Sequence, residues 1–234
     1  MPAATRFLVV NADDLGLSAG VDAGIAEAHE RGIVTSASLM VRQSAAADGA
    51  ECARRHPALA VGLHIDLGQW DYESGEWRVA YERCPPGDAT AVEAECRGQL
   101  EAFRALLGRD PTHLDSHQHV HMSEPLASVA ARMAAELSVP LRGRGRVRYE
   151  GGFYGQSGRG EAYPEGVTAG HLVELVESLP AGWTEIGCHP GRGAAELSSY
   201  GVEREREIEA LCDPRVRAAI ERAGVELRSF AQLG

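Results

Sequence analysis

The sequence predicts an α/β fold built as a single-domain (β/α) barrel of the TIM-like type, with seven strands. Short apolar runs alternate with longer amphipathic stretches along the whole chain, the pattern of parallel β/α units. No break in composition divides the 234 residues, a length that suits one large core. The chemically loaded residues fall at the ends of several apolar runs. Barrels carry their sites at the C-terminal ends of many strands, whereas an open sheet binds chiefly at one switch point.

Each element has its reason. Phe7–Asn11 (FLVVN) is a compact β-type run. Over Ala19–Arg31, Val21, Ile25 and Ala28 recur at helical spacing, and Gly32 stops the helix. Ser36–Val41 is a second strand, Ala45–His56 a helix ended by Pro57, and Ala60–Ile65 a third strand. Gln69–Asp88 mixes aromatics, prolines, glycines and charges and reads as an inserted loop, so the insertion is placed at about 69–88. Thr90–Leu107 aligns Val92, Cys96, Leu100, Phe103 and Leu107 on one stripe of a long helix. Thr112–Ser116 is a fourth strand, Pro125–Leu137 a helix and Leu141–Arg142 a short fifth strand. Residues 143–166, rich in Gly and Arg, read as a second inserted loop. Helix Thr168–Leu179, strand Thr184–Cys188, helices Glu203–Leu211 and Pro214–Ala223, and strand Glu226–Ser229 complete the chain.

Composition narrows the class of function. Hydrophobic residues make up 44% and charged residues 24%, which excludes a disordered or low-complexity chain. No apolar run approaches the roughly 20 residues that span a bilayer. MPAATRFLVVNADDLG lacks a signal-peptide pattern, so a cytoplasmic protein is expected. Lys and Arg total 23 against 34 Asp and Glu, a net charge of -11. That balance speaks against nucleic acid or an anionic membrane as partner. Cys52, Cys84, Cys96, Cys188 and Cys212 are odd in number, widely spaced and form no CxxC pair, so they read as reduced thiols. One basic run, Arg142–Arg148 (RGRGRVR), stands out. It is a solvated loop or a clamp for an anionic group such as phosphate.

Four motifs carry chemistry. NADDLG (Asn11–Gly16) places Asp13 and Asp14 side by side after a buried strand. Like charges so close repel, and a metal ion or a shared proton would offset the repulsion; the plainer role is capping of the next helix by Asp14 or Ser18. GLHIDL (Gly62–Leu67) sets His64 in an apolar run, with Asp66 two residues on and facing the same side as a natural partner. A lone histidine there can also be a satisfied core residue. HLDSHQHVH puts His113, Asp115, His117, His119 and His121 at alternate positions. In an extended segment they line one face, and a row of imidazoles has little value as packing. EIGCHPG (Glu185–Gly191) sets His189 between a strand and a turn, suited to a general acid or base or simply to the turn. Cys188 as a nucleophile is discounted, because alternation sends its side chain away from His189. One carboxylate and two imidazoles make a common open metal site. A second carboxylate and a further histidine complete the equipment for metal-assisted hydrolysis of an amide or ester.

At these residues the sequence resembles the YdjC-like carbohydrate deacetylases, which include chitooligosaccharide (chitin disaccharide) deacetylases. The resemblance runs through NADDLGLSAGVDAGI, GIVTSASLMV, GLHIDL, THLDSHQHVHM and the CHPG turn. It implies a barrel fold, a divalent metal (Mg²⁺ or Zn²⁺) and removal of acetyl from an N-acetylated mono- or oligosaccharide. It further implies Asp14, His64 and His117 as metal ligands, Asp13 as base and His189 as acid. His119 and His121 are expected to face substrate or support the ligands, with Asp66 and Asp115 behind the ligands. Arg142 and Trp70 are expected at the substrate; Trp70, Tyr72 and Trp77 in the first insertion would stack on sugar rings or form a loop core. The competing readings are a metal-dependent hydrolase of a lipid-linked sugar or phosphoester, and a sugar- or metal-binding protein without turnover. A homodimer is the default expectation for its assembly.

Overall fold

The computed structural model describes residues 5–73, 75–193 and 200–233. In chain order the first half comprises β1 (Arg6–Leu15), α1 (Ala19–Glu30), β2 (Ser36–Leu39), α2 (Ala46–Arg55), β3 (Ala60–Ile65), β4 (Gly68–Glu73), β5 (Glu76–Glu82) and α3 (Ala89–Leu107). The second comprises β6 (Leu114–Ser116), α4 (Leu126–Leu137), β7 (Val147–Glu150), α5 (Ala169–Ser178), β8 (Gly182–Cys188), α6 (Val202–Leu211), α7 (Pro214–Arg222) and β9 (Val225–Leu227). Caps mark the helix starts: Ser18, Asp88, Thr168 and Asp213 each accept backbone N–H groups of the first turn.

Seven strands form one parallel sheet, in the order β6-β3-β2-β1-β8-β7 with β9 beside the start of β1. Its residues alternate as a two-sided sheet requires. On β1, Leu8, Val10 and Ala12 pack beneath the helices in the main core, while Val9 joins Ala60, Val147, Phe230 and Leu233 in a second cluster. Asn11 and Asp13 continue the Val9 side toward the strand's C-terminal end. The sheet is therefore curled into a half-barrel with helices outside and a partly polar interior.

Closure differs from the sequence expectation. Among the described residues the sheet's edge strands β6 and β7 do not pair with each other. The expected fifth strand at Leu141–Arg142 is reduced to one bridge between Leu141 and Leu114. Gly143 and Gly145, with φ of 70° and 78°, turn the chain away before a ladder can grow. The real edge strand, β7, lies in the stretch expected to be a loop. The insertion at 69–88 is also more ordered than expected: β4 and β5 form an antiparallel hairpin, with Tyr72 opposite Trp77.

Candidate functional site

A cleft of about 610 Å³ opens at the C-terminal ends of the strands. Asp13, Asp14, His64, His117, His119 and His189 line it together with Trp70, Tyr72 and Trp77 of the hairpin. The polar ends of β1, β3, β6 and β8 thus meet in one place.

Local backbone explains how adjacent aspartates share it. The register of β1 against β2 slips between Ala12 and Leu15. Within that slip Asp14 takes a left-handed φ of 69°. Aspartate tolerates this region better than most residues, at a cost of about 1–3 kcal/mol. The twist brings both carboxylates to the cleft although strand neighbours ordinarily diverge.

Asp14, His64 and His117 offer one ligand atom each, all within 4.8 Å of one another. His64 Nε2 lies 3.5 Å and His117 Nδ1 3.1 Å from Asp14 Oδ1. The second ring nitrogen of His64 and the second oxygen of Asp14 are already committed. Asp115 Oδ1 accepts from His64 Nδ1 at 2.8 Å, and Arg204 donates to Asp14 Oδ2 at 2.7 Å. This leaves one oxygen and two nitrogens converging, a donor set that fits a divalent cation with open positions for water and substrate. Burial works against charge on Asp14, but Arg204 and the two histidines hold its carboxyl well below the usual range.

Asp13 is fixed from below. Arg142 donates from both terminal nitrogens to its two oxygens, at 2.6 and 2.7 Å, and Asn11 donates to Oδ1 at 2.9 Å. Arg142 also pairs with Asp115 at 2.9 Å and Glu185 at 2.7 Å. Ser38 donates to Asp115 at 2.7 Å. Burial alone would raise the Asp13 carboxyl, but Arg142 outweighs it and lowers it to about 2. Burial prevails at Glu185, which is pushed up to about 7.

His189 also lines the cleft, its Nε2 3.8 Å from Asp13 Oδ2. The CHPG turn that carries it lies directly on α1. A Cβ on Gly24 would sit 2.5 Å from the Gly191 Cα, and one on Gly20 2.0 Å from the Arg192 carbonyl oxygen. Only glycine permits that approach. Cys188 is fully buried, donates to the Asn11 carbonyl, and burial holds its thiol well above the ordinary value, which leaves no thiolate nucleophile.

Several expected positions are corrected. The alternating row His113–His121 is not extended: β6 ends at Ser116, and Gln118 and His119 adopt left-handed φ of 50° and 54° in a tight turn. His119 consequently enters the cleft, with Nε2 3.4 Å from the Tyr149 hydroxyl. His121 turns inward instead, its Nδ1 against Ser116 and its Nε2 against the Arg142 carbonyl. It is fully buried and away from the cleft lining. His113 points the other way along the interior and stacks on Phe230 at 4.0 Å. Asp66 does not support His64; the strand ends at Ile65, and Asp66 accepts from Gln43, Tyr81 and Arg83. Arg142 does not face substrate: three acids draw its guanidinium inside, where it is 2% exposed. Trp70 borders the cleft and exchanges two backbone hydrogen bonds with the Gln118 side chain, tying the hairpin to the ligand loop.

Sequence reasoning missed Arg204, Glu207, Tyr149 and Tyr154. Arg204 and Glu207 sit in EREREIE, which looks like a solvated charged helix. Their signal is the i, i+3 spacing of Arg204 and Glu207, which puts them on one face of α6.

The comparisons with known proteins follow this geometry. The family model of YdjC-like proteins matches residues 7–222. The chain is 33% identical to a carbohydrate deacetylase of Geobacillus stearothermophilus, over 97% of this chain and 98% of that one. It is equally 33% identical to a chitooligosaccharide deacetylase of Salmonella schwarzengrund, over 97% and 99% of the two chains. A structure from Enterococcus faecalis, of a protein assigned provisionally to cellobiose-phosphate cleavage, superposes with a TM-score of 0.83 at 26% identity, over 99% and 100% of the chains. A family 4 carbohydrate esterase from Streptomyces lividans shares the fold at a TM-score of 0.56 and 12% identity, over 96% and 93%. No helix among the described residues is long and apolar enough to cross a membrane.

Proposed function

The chain belongs to the YdjC-like family, and we propose that it is a metal-dependent carbohydrate deacetylase that removes acetyl from an N-acetylated mono- or oligosaccharide. The observation that carries this reading is the convergence of Asp14, His64 and His117 within 4.8 Å, in the same cleft as Asp13 and His189, which lie 3.8 Å apart. The names of the relatives, carbohydrate and chitooligosaccharide deacetylase, support the substrate class.

Asp14, His64 and His117 would hold Mg²⁺ or Zn²⁺. Such an ion supplies positive charge that polarises the acetamide carbonyl and acidifies the attacking water. Asp13 accepts that water's proton. Arg142 outweighs burial and holds the Asp13 carboxyl below the ordinary range, so it stands ionised at neutral pH. The oxygen adds to the carbonyl carbon, and the C–N bond then breaks with its electron pair going to nitrogen. His189 Nε2 delivers a proton to that nitrogen, so acetate and a free amino sugar leave. His119 with Tyr149 and the hairpin's Trp70 are assigned to the sugar, the first by hydrogen bonding and the last by stacking.

A phosphoester reading needs an anion clamp, and Arg142, its leading residue, is buried. The test is acetate release from diacetylchitobiose by metal-loaded protein, with Asp14→Ala as control. Release by the native chain and none by the variant is expected; phosphate release from a sugar phosphate without acetate release would overturn the assignment.

A further inference from the structure

Glu207 has no part in the mechanism above, yet its placement is costly. It is fully buried, and a buried carboxylate costs several kcal/mol unless its oxygens are used. Helix α6 turns it inward beside Arg204, and Arg204 is already committed to Asp14. Glu207 Oε2 accepts the backbone N–H of His189, and Oε1 accepts the hydroxyl of Tyr200, both in short contacts. Oε1 also lies 3.8 Å from His189 Nδ1. That ring nitrogen is buried and, among the described residues, has no hydrogen-bond partner. The ring is boxed by Tyr154 and Tyr200, with centroids at 5.4 and 5.3 Å. Tyr154 and Tyr200 stack on each other at 4.7 Å, so the ring has little room to turn. One nitrogen therefore faces a carboxylate in the interior, and the other faces Asp13 in the cleft.

We propose that Glu207 is a positioning residue that acts through His189, keeping Nδ1–H toward its own carboxylate and Nε2 toward the scissile amide. A carboxylate behind an imidazole fixes its tautomer and orientation and favours the positive ring. Glu207 itself transfers no proton. The proton passes from His189 Nε2 to the amine nitrogen as the C–N bond breaks, and the ring is left neutral with Nδ1–H still directed at Glu207. The catalytic step rests on the deacetylase reading, whereas the hold on the ring does not.

The experiment compares native protein and Glu207→Gln, both zinc-loaded. Ring ¹⁵N NMR reads the tautomer of His189 at one fixed pH, and steady-state acetate release from diacetylchitobiose reads kcat and KM. The expected result is a changed His189 tautomer population, kcat lower by about 10²-fold, KM within about twofold and metal content unchanged. In a His189→Gln background, Glu207→Gln should add less than about threefold, because the two act as one unit. Unchanged ring signals with native kcat would overturn the proposal. So would a loss that persists in the His189→Gln background, which would mark Glu207 as structural. If Glu207→Gln fails to fold, Tyr200→Phe frees the same carboxylate oxygen and should shift the ring signals while kcat changes more than KM; native signals there would overturn the proposal. If the native chain releases no acetate, the deacetylase reading fails, and the NMR comparison still decides whether Glu207 orients the ring.

Discussion

Arg142→Met tests the interior network most severely. The guanidinium lies 2.6, 2.9 and 2.7 Å from Asp13, Asp115 and Glu185. A methionine fills much of the volume but leaves three buried acids facing one another. Breaking a buried pair by removing one partner costs about 3–5 kcal/mol, a large share of the roughly 5–15 kcal/mol that stabilises a domain. The sign with pH follows from linkage. In the native chain Arg142 lowers Asp13 from 3.8 to about 2. A depressed carboxyl contributes stability that is present above its unfolded value and lost as pH falls toward 2. Without the cation, burial raises these carboxyls above their ordinary values. The variant then takes up protons readily and recovers part of its deficit as pH falls. Urea unfolding at about pH 8 and about pH 5 should show a deficit of about 3–5 kcal/mol that narrows at the lower pH. A deficit below about 1 kcal/mol, or one equal at both values, would refute the reasoning.

Four further outcomes are expected. Asp13→Asn should lower kcat by about 10²–10⁴-fold while the protein keeps its metal; loss of metal by elemental analysis would instead make Asp13 a ligand. Gly24→Ala should cost about 1–3 kcal/mol through overpacking against Gly191, whereas Gly170→Ala, with nothing within 4 Å of the added carbon, should be neutral or stabilising in thermal unfolding. His113 is driven by burial down to about 4 from 6.5, so its contribution is present above 6.5 and lost as pH falls toward 4. His113→Leu should flatten the stability profile across that window, and an unchanged profile would place the titration elsewhere. His117→Ala should abolish stoichiometric zinc binding in a calorimetric titration, and native stoichiometry would remove it from the ligand set.

What the sequence made legible depended on where the forces are local. Amphipathic stripes are local, so the long helix read as Thr90–Leu107 is α3, Ala89–Leu107, and the other helices lie within a residue or two of their expected limits. Strands that rely on distant partners were harder. VRYE of β7 sits among glycines and arginines and gains its identity from pairing with β8. The residues of β5, the hairpin's second strand, are largely exposed, so its alternation carried no core signal. The site shows the same division. NADDLG and HLDSHQHVH pointed to the right loops, but two left-handed residues, Gln118 and His119, decide which imidazoles face the cleft. Arg142 was expected outside because runs of charge are ordinarily solvated. It lies inside because Asp13, Asp115 and Glu185 come from three different strands and meet only in the folded chain.

The most direct test of the central claim is metal dependence measured by product. Metal-stripped protein should release no acetate from diacetylchitobiose. Adding Mg²⁺ or Zn²⁺ back should restore equal amounts of acetate and free amine, with one ion bound per chain. Full acetate release by stripped protein, or restored release in the Asp14→Ala variant, would contradict the account.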